Sequence, residues 1–94
     1  MFVKLYKVNK RNSPRGDQYY LSEVSINITR ISYMSENTDM KAMLSEGKIN
    51  LDLNDNVIFT DLVMTDKQKI TVVGSPTIIE SKMLQSTTRT LLRG

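Results

Sequence analysis

Turn-forming clusters cut this chain into short pieces, and that punctuation constrains the fold more than any other feature. KRNSPRGD (10–17), NDN (54–56), DKQK (66–69) and the Gly74–Ser75–Pro76 corner fall at close intervals. Clusters of Gly, Pro, Asn, Asp and Ser end regular structure because they supply positive φ, a fixed φ or side chains that bond the backbone. The runs between them are rich in β-branched and aromatic residues, and several alternate, as half-buried strands do. FVKLYKVN (2–9) reads as a strand, KRNSPRGD as a mobile hairpin loop and QYYLS (18–22) as the returning strand. In EVSINITRISYMS the alternation of Val24, Ile26 and Ile28 passes to Ile31 and Tyr33 on the opposite parity, which predicts a bulge or tight turn near Asn27–Thr29. In KINLDLN, Ile49, Leu51 and Leu53 alternate with Lys48, Asn50, Asp52 and Asn54. With VIFTDLVMT (57–65) and ITVVG (70–74) this run predicts a three-stranded meander.

Two segments read as helices. Over TDMKAMLSEG (38–47), Met40, Met43 and Leu44 share a face, Thr38 is placed to cap and Gly47 to terminate. From Pro76 onward, Ile79, Met83, Leu84, Thr87 and Leu91 fall within an arc of about 140°, and Lys82, Arg89 and Arg93 gather on another face. Glu80 interrupts the apolar arc. Strands with one short and one terminal helix predict an α+β fold: a small, mainly antiparallel sheet in a single domain spanning residues 1–94.

Composition narrows the function. The 94 residues contain no Cys and no His. Thiolate nucleophiles, thiolate metal sites and the commonest general base and metal ligand are therefore missing, which argues against enzymatic activity. No cofactor is expected. No apolar run approaches the roughly 18 residues of a membrane span, so the expectation is a cytoplasmic protein with no membrane partner. Charge is segregated along the chain. Residues 1–16 hold five cations and no acid, residues 17–66 nine acids against three cations, and residues 67–94 five cations against Glu80.

Three constellations bear on chemistry. Ser75 and Pro76 form a good helix start, but the corner lacks the glycine spacing of a phosphate loop, and Pro76 removes an amide that would cradle an anion. Asp52, Asp55, Asp61 and Asp66 lack the glycine and terminal glutamate of a calcium loop, and turn chemistry accounts for NDN. The third is the basic loop. Lys10, Arg11 and Arg15 stand beside Tyr19 and Tyr20, with Tyr6 on the preceding strand. Guanidinium groups fork onto phosphates and tyrosines stack on bases, so these five residues are the candidate ligand site. Lys82, Arg89 and Arg93 form a secondary basic patch. The competing reading of the loop is a solvated turn with cross-strand aromatic packing.

The pattern FTDLVM…ITVVGSPTIIESKM…TTRTLLRG over residues 59–94 resembles short accessory proteins of large tailed bacteriophages. The order of hairpin, VVGSP corner and terminal helix also resembles the small flagellar-associated FlbD-like domains, a strand pair followed by a helix. The phage resemblance implies the cytoplasm of an infected bacterium and a role in modifying or evading the host by binding. The expectation from residues and resemblance together is a non-enzymatic homo-oligomer that binds an anionic ligand. A nucleotide is foremost, in the phage setting a sequestered host signalling nucleotide. The alternatives are a nucleic-acid-binding regulator and an interaction module that docks on a host protein.

Overall fold

The computed structural model describes the backbone of residues 1–93 and the side chains of residues 1–85. It is an α+β fold with a five-stranded antiparallel sheet and two helices. Strands β1 (Phe2–Ser13) and β2 (Gly16–Asn27) form a hairpin paired without interruption from Phe2↔Asn27 to Ser13↔Gly16. The mobile loop expected over residues 10–17 is absent, and the strands run on to a reverse turn at Pro14–Arg15. Pro14 fixes one φ of that turn, and Gly16 takes a φ of 110° that other residues resist. The Ser13 hydroxyl ties the turn together, donating to the Gly16 carbonyl at 2.7 Å and accepting from the Arg15 amide at 3.3 Å.

The face switch expected near Asn27–Thr29 is a 3-10 turn, Ile28–Arg30, capped by the Asn27 side chain. Strand β3 (Ile31–Glu36) follows, then helix α1 (Thr38–Ser45), the β4–β5 hairpin (Phe59–Met64 and Lys69–Val73) and helix α2 (Pro76–Arg93). Strand order is β2-β1-β5-β4-β3. A flat sheet would hold its two edge strands about 19 Å apart, at about 4.8 Å per step. Yet β2 ends at Asn27 and β3 starts at Ile31, a separation that the chain spans with at most about 14 Å of reach. The sheet therefore coils until its edges approach. The 3-10 turn stitches them: the Ile28 amide donates to the Met1 carbonyl at 3.1 Å, and the Arg30 carbonyl accepts from the Thr65 amide at 2.8 Å.

Inside the coil lies one core cluster, with Val3, Leu5, Ile26, Leu62, Val72 and Ile79 buried together. Ile79 arrives from α2, whose start follows the sequence reading. The Ser75 hydroxyl accepts from the Ile78 amide at 3.1 Å, and Gly74 sits at a φ of 119°. Buried Thr60 donates to the Gly74 carbonyl at 2.7 Å, so a strand side chain holds the corner. The apolar arc expected for α2 is only partly used. Ile79 is buried and Met83 half-buried, but Leu84 is exposed, and so is Ile78. The remainder of the arc, Thr87 and Leu91, lies outside the described side chains.

The second core cluster lies on the outer face of the sheet. Val8 and Phe59 meet Leu44 of α1 together with Ile49 and Leu51. Val8 differs in parity from Val3 and Leu5, so β1 feeds both clusters from opposite faces. Asn37, rather than Thr38, caps α1: its side chain accepts from the Met40 amide at 2.9 Å and donates to Asp61 at 3.1 Å. Gly47, with φ of 75°, ends the helix. Its amide bonds the Leu44 carbonyl and the Lys48 amide the Met43 carbonyl, which satisfies the last turn.

The strand expected over residues 48–54 is not formed, so the predicted meander reduces to the β4–β5 hairpin. Its alternation is nevertheless physical. Ile49 and Leu51 are buried and Leu53 half-buried, while Lys48, Asn50, Asp52 and Asn54 are exposed. The segment lines the outer core without joining a ladder. Asp52 has a φ of 55°, which breaks the extended run, and Asn50 and Asn54 turn their side chains onto the amides two residues on. Such local bonds compete with strand pairing. No helix among the described residues is long and apolar enough to cross a membrane.

Candidate functional site: the basic ribbon arm

Strand β1 pairs with β5 at a single position, Lys7↔Val72, whereas β4 and β5 pair along their length. Beyond that crossing the β1–β2 ribbon continues alone. A 12-residue strand spans about 40 Å, which accounts for an elongated molecule of 52 × 27 × 19 Å with a radius of gyration of 14.5 Å. A compact chain of this length would have about 12 Å. From Lys10 to Gln18 every residue is exposed except half-buried Ser13. The chain thus builds an arm carrying Lys10, Arg11 and Arg15.

Alternation sorts the arm into two faces. Asn9, Arg11 and Ser13 of β1 share one face with Gln18, Tyr20 and Ser22 of β2. On that face the Arg11 guanidinium lies over the Tyr20 ring, 5.0 Å from its centroid, and Asn9 donates to the Ser22 hydroxyl at 2.7 Å. Lys10 and Asn12 share the other face with Asp17 and Tyr19. There Lys10 and Asp17 form an ion pair at 3.1 Å. The hydrogen bond to Asp17 and then its charge, with a smaller contribution from Tyr19, hold the Lys10 ammonium above the ordinary lysine range.

The five candidate residues are therefore divided by the ribbon. Arg11 and Tyr20 meet on one face, Lys10 and Tyr19 lie on the other, and Arg15 sits in the turn. Tyr19 is half-buried against the outer core cluster, while Tyr20 is exposed. Tyr6 lies farther back on β1, exposed. Of the secondary patch, Lys82 is exposed on α2, and Arg89 and Arg93 lie outside the described side chains.

Two adjoining open recesses, of about 320 and 260 Å³, separate the base of the arm from the segment at residues 48–52. Asp17, Tyr19 and Lys48 line the first; Tyr20, Asn50 and Asp52 line the second. Lys48 is engaged by Glu46 at 3.3 Å. With Asp17 and Asp52 on their walls, these recesses offer poor surroundings for a free phosphate. Sequence reasoning did not find them, although the exposed parity of Lys48, Asn50 and Asp52 was visible in the alternation.

The carboxylates do not converge. Asp61 accepts from Thr71 at 2.6 Å and from Asn37, with Lys69 at 4.0 Å, a structural cluster that joins the α1 cap to the sheet. Among the described residues no group of three or more acidic side chains could hold a metal ion. No family model, curated protein or solved structure matches the chain.

Proposed function

We propose that the chain is a non-enzymatic binding protein whose β1–β2 arm grips nucleic acid. The observation that carries this reading is the arm itself, a ribbon past the Lys7↔Val72 crossing with Lys10, Arg11 and Arg15 exposed and Asp17 its one acid. An isolated two-stranded ribbon is marginal in water, and its persistence as an arm suits a role in contacting a partner. Guanidinium groups on such an arm match a polyanion in charge and hydrogen-bonding geometry. The geometry favours a polymer over a free nucleotide, because the cations point away from one another instead of lining one pocket and the recesses at the arm's base carry acids.

Fluorescence anisotropy with labelled oligonucleotides tests the reading. Two to three phosphate contacts give log K against log salt a slope of about −2 to −3 for a duplex. Replacing Arg11→Ala and Arg15→Ala together flattens that slope by about 2, with the melting temperature nearly unchanged, because surface substitutions of this kind move stability by about 0.5 kcal/mol or less. Salt-independent binding, or a double variant that binds as the parent does, contradicts it. A nucleotide panel followed by thermal shift examines the free-nucleotide alternative, which predicts stabilisation by one member at low millimolar concentration or below.

A further inference from the structure

We propose that the arm enters the major groove of duplex DNA with its Arg11–Tyr20 face toward the base edges, an inference that rests on the nucleic-acid reading and names the polymer. The two faces of the arm are chemically unequal. The face of Asn9, Arg11, Ser13, Gln18, Tyr20 and Ser22 contains no acid and consists wholly of hydrogen-bonding side chains. The opposite face carries Asp17, bound to Lys10, and Tyr19, held against the outer core. Only the first face can meet a polyanion without bringing a carboxylate to it.

Its residues suit paired bases better than a single strand. Strand binding uses aromatic rings as free stacking platforms. Here Tyr19 is half-buried, and one face of Tyr20 is already taken by the Arg11 guanidinium. The same contact orients Arg11, so that its fork is presented with less conformational freedom to lose. Directly across the ribbon from Arg11 stands Gln18, exposed. Arginine paired to guanine O6 and N7, and glutamine paired to adenine N6 and N7, are the contacts that major-groove geometry permits. A two-stranded ribbon fits a groove about 12 Å wide and not a minor groove of about 6 Å. The deep, narrow major groove of an RNA duplex excludes it. Arg15, in the turn, is left to contact a phosphate.

Selection from a random duplex pool, followed by dimethyl sulfate footprinting of the enriched sequence, tests this. The expected result is an enriched motif with a guanine at a fixed position, its N7 protected by the parent protein. Arg11→Lys cannot fork onto O6 and N7, so it lowers the preference at that position about tenfold, while Arg15→Ala weakens all sequences alike. Equal melting temperatures for parent and variants show that the difference is not one of folding. A pool with no motif, guanine N7 reactive throughout, or tighter binding to single strands than to duplex overturns the inference and leaves salt-dependent binding by the arm standing. Failure to bind any nucleic acid overturns both.

Discussion

At the scale of the residue, the arm is held by a few short-range contacts, each with its own signature. Lys10 lies above the ordinary lysine value of 10.5 because Asp17 bonds and faces it. A lysine whose folded value is raised contributes fully at neutral pH, and its contribution is lost as pH rises through that folded value. NMR of the arm should therefore show Lys10 and Asp17 separating only above the normal lysine range, and the change should be absent between pH 6 and pH 9, written here as approximate bounds of about 6 and about 9. In Lys10→Arg the pair should persist to higher pH. The contact of Arg11 with Tyr20 is worth about 0.5–1 kcal/mol at an exposed site. Tyr20→Ala should leave the fold intact and loosen Arg11, seen as faster side-chain relaxation of its guanidinium. The residue types at this site were legible in the sequence. Their division between two faces was not, because it depends on the β1–β2 register and on a turn confined to Pro14–Arg15.

At the scale of the element, local chemistry was readable where it was self-contained. Ser75 and Pro76 start α2 as their types require, and Gly47 ends α1. The cap of α1 shifted by one residue because Asn37 can bond both the helix amide and Asp61, a partner far along the chain. Asn37→Ala should accordingly cost about 1–2 kcal/mol, from loss of the cap and of the Asp61 donor. Chemical denaturation would register this as a lower midpoint at unchanged slope. The strand expected over residues 48–54 failed for a related reason. Its period of two reported burial of Ile49 and Leu51 truly, but burial alternates along any extended lining segment, and a ladder also needs a partner edge. Asp52 at positive φ, with Asn50 and Asn54 bonding nearby amides, removes the regular backbone that such an edge requires.

At the scale of the whole molecule, two cores on opposite faces of one coiled sheet leave the distal ribbon outside both. The inner core depends on α2 through Ile79, which is fully buried between strands distant in sequence. Truncation there, Ile79→Ala, should cost about 2–5 kcal/mol, seen as a large drop in melting temperature. The closure that makes this core was beyond sequence reasoning, since it follows from the short link between Asn27 and Ile31 acting across the whole strand order. The arm is where chain and function meet, because charge that reads as a basic terminus in the sequence becomes an isolated basic projection in space. Backbone amide mapping by NMR, during titration with a short duplex, tests that most directly. The account predicts shifts concentrated between Lys10 and Tyr20, weakening with added salt. Shifts confined to α2 or to the segment at residues 48–52, with the arm unmoved, would contradict it.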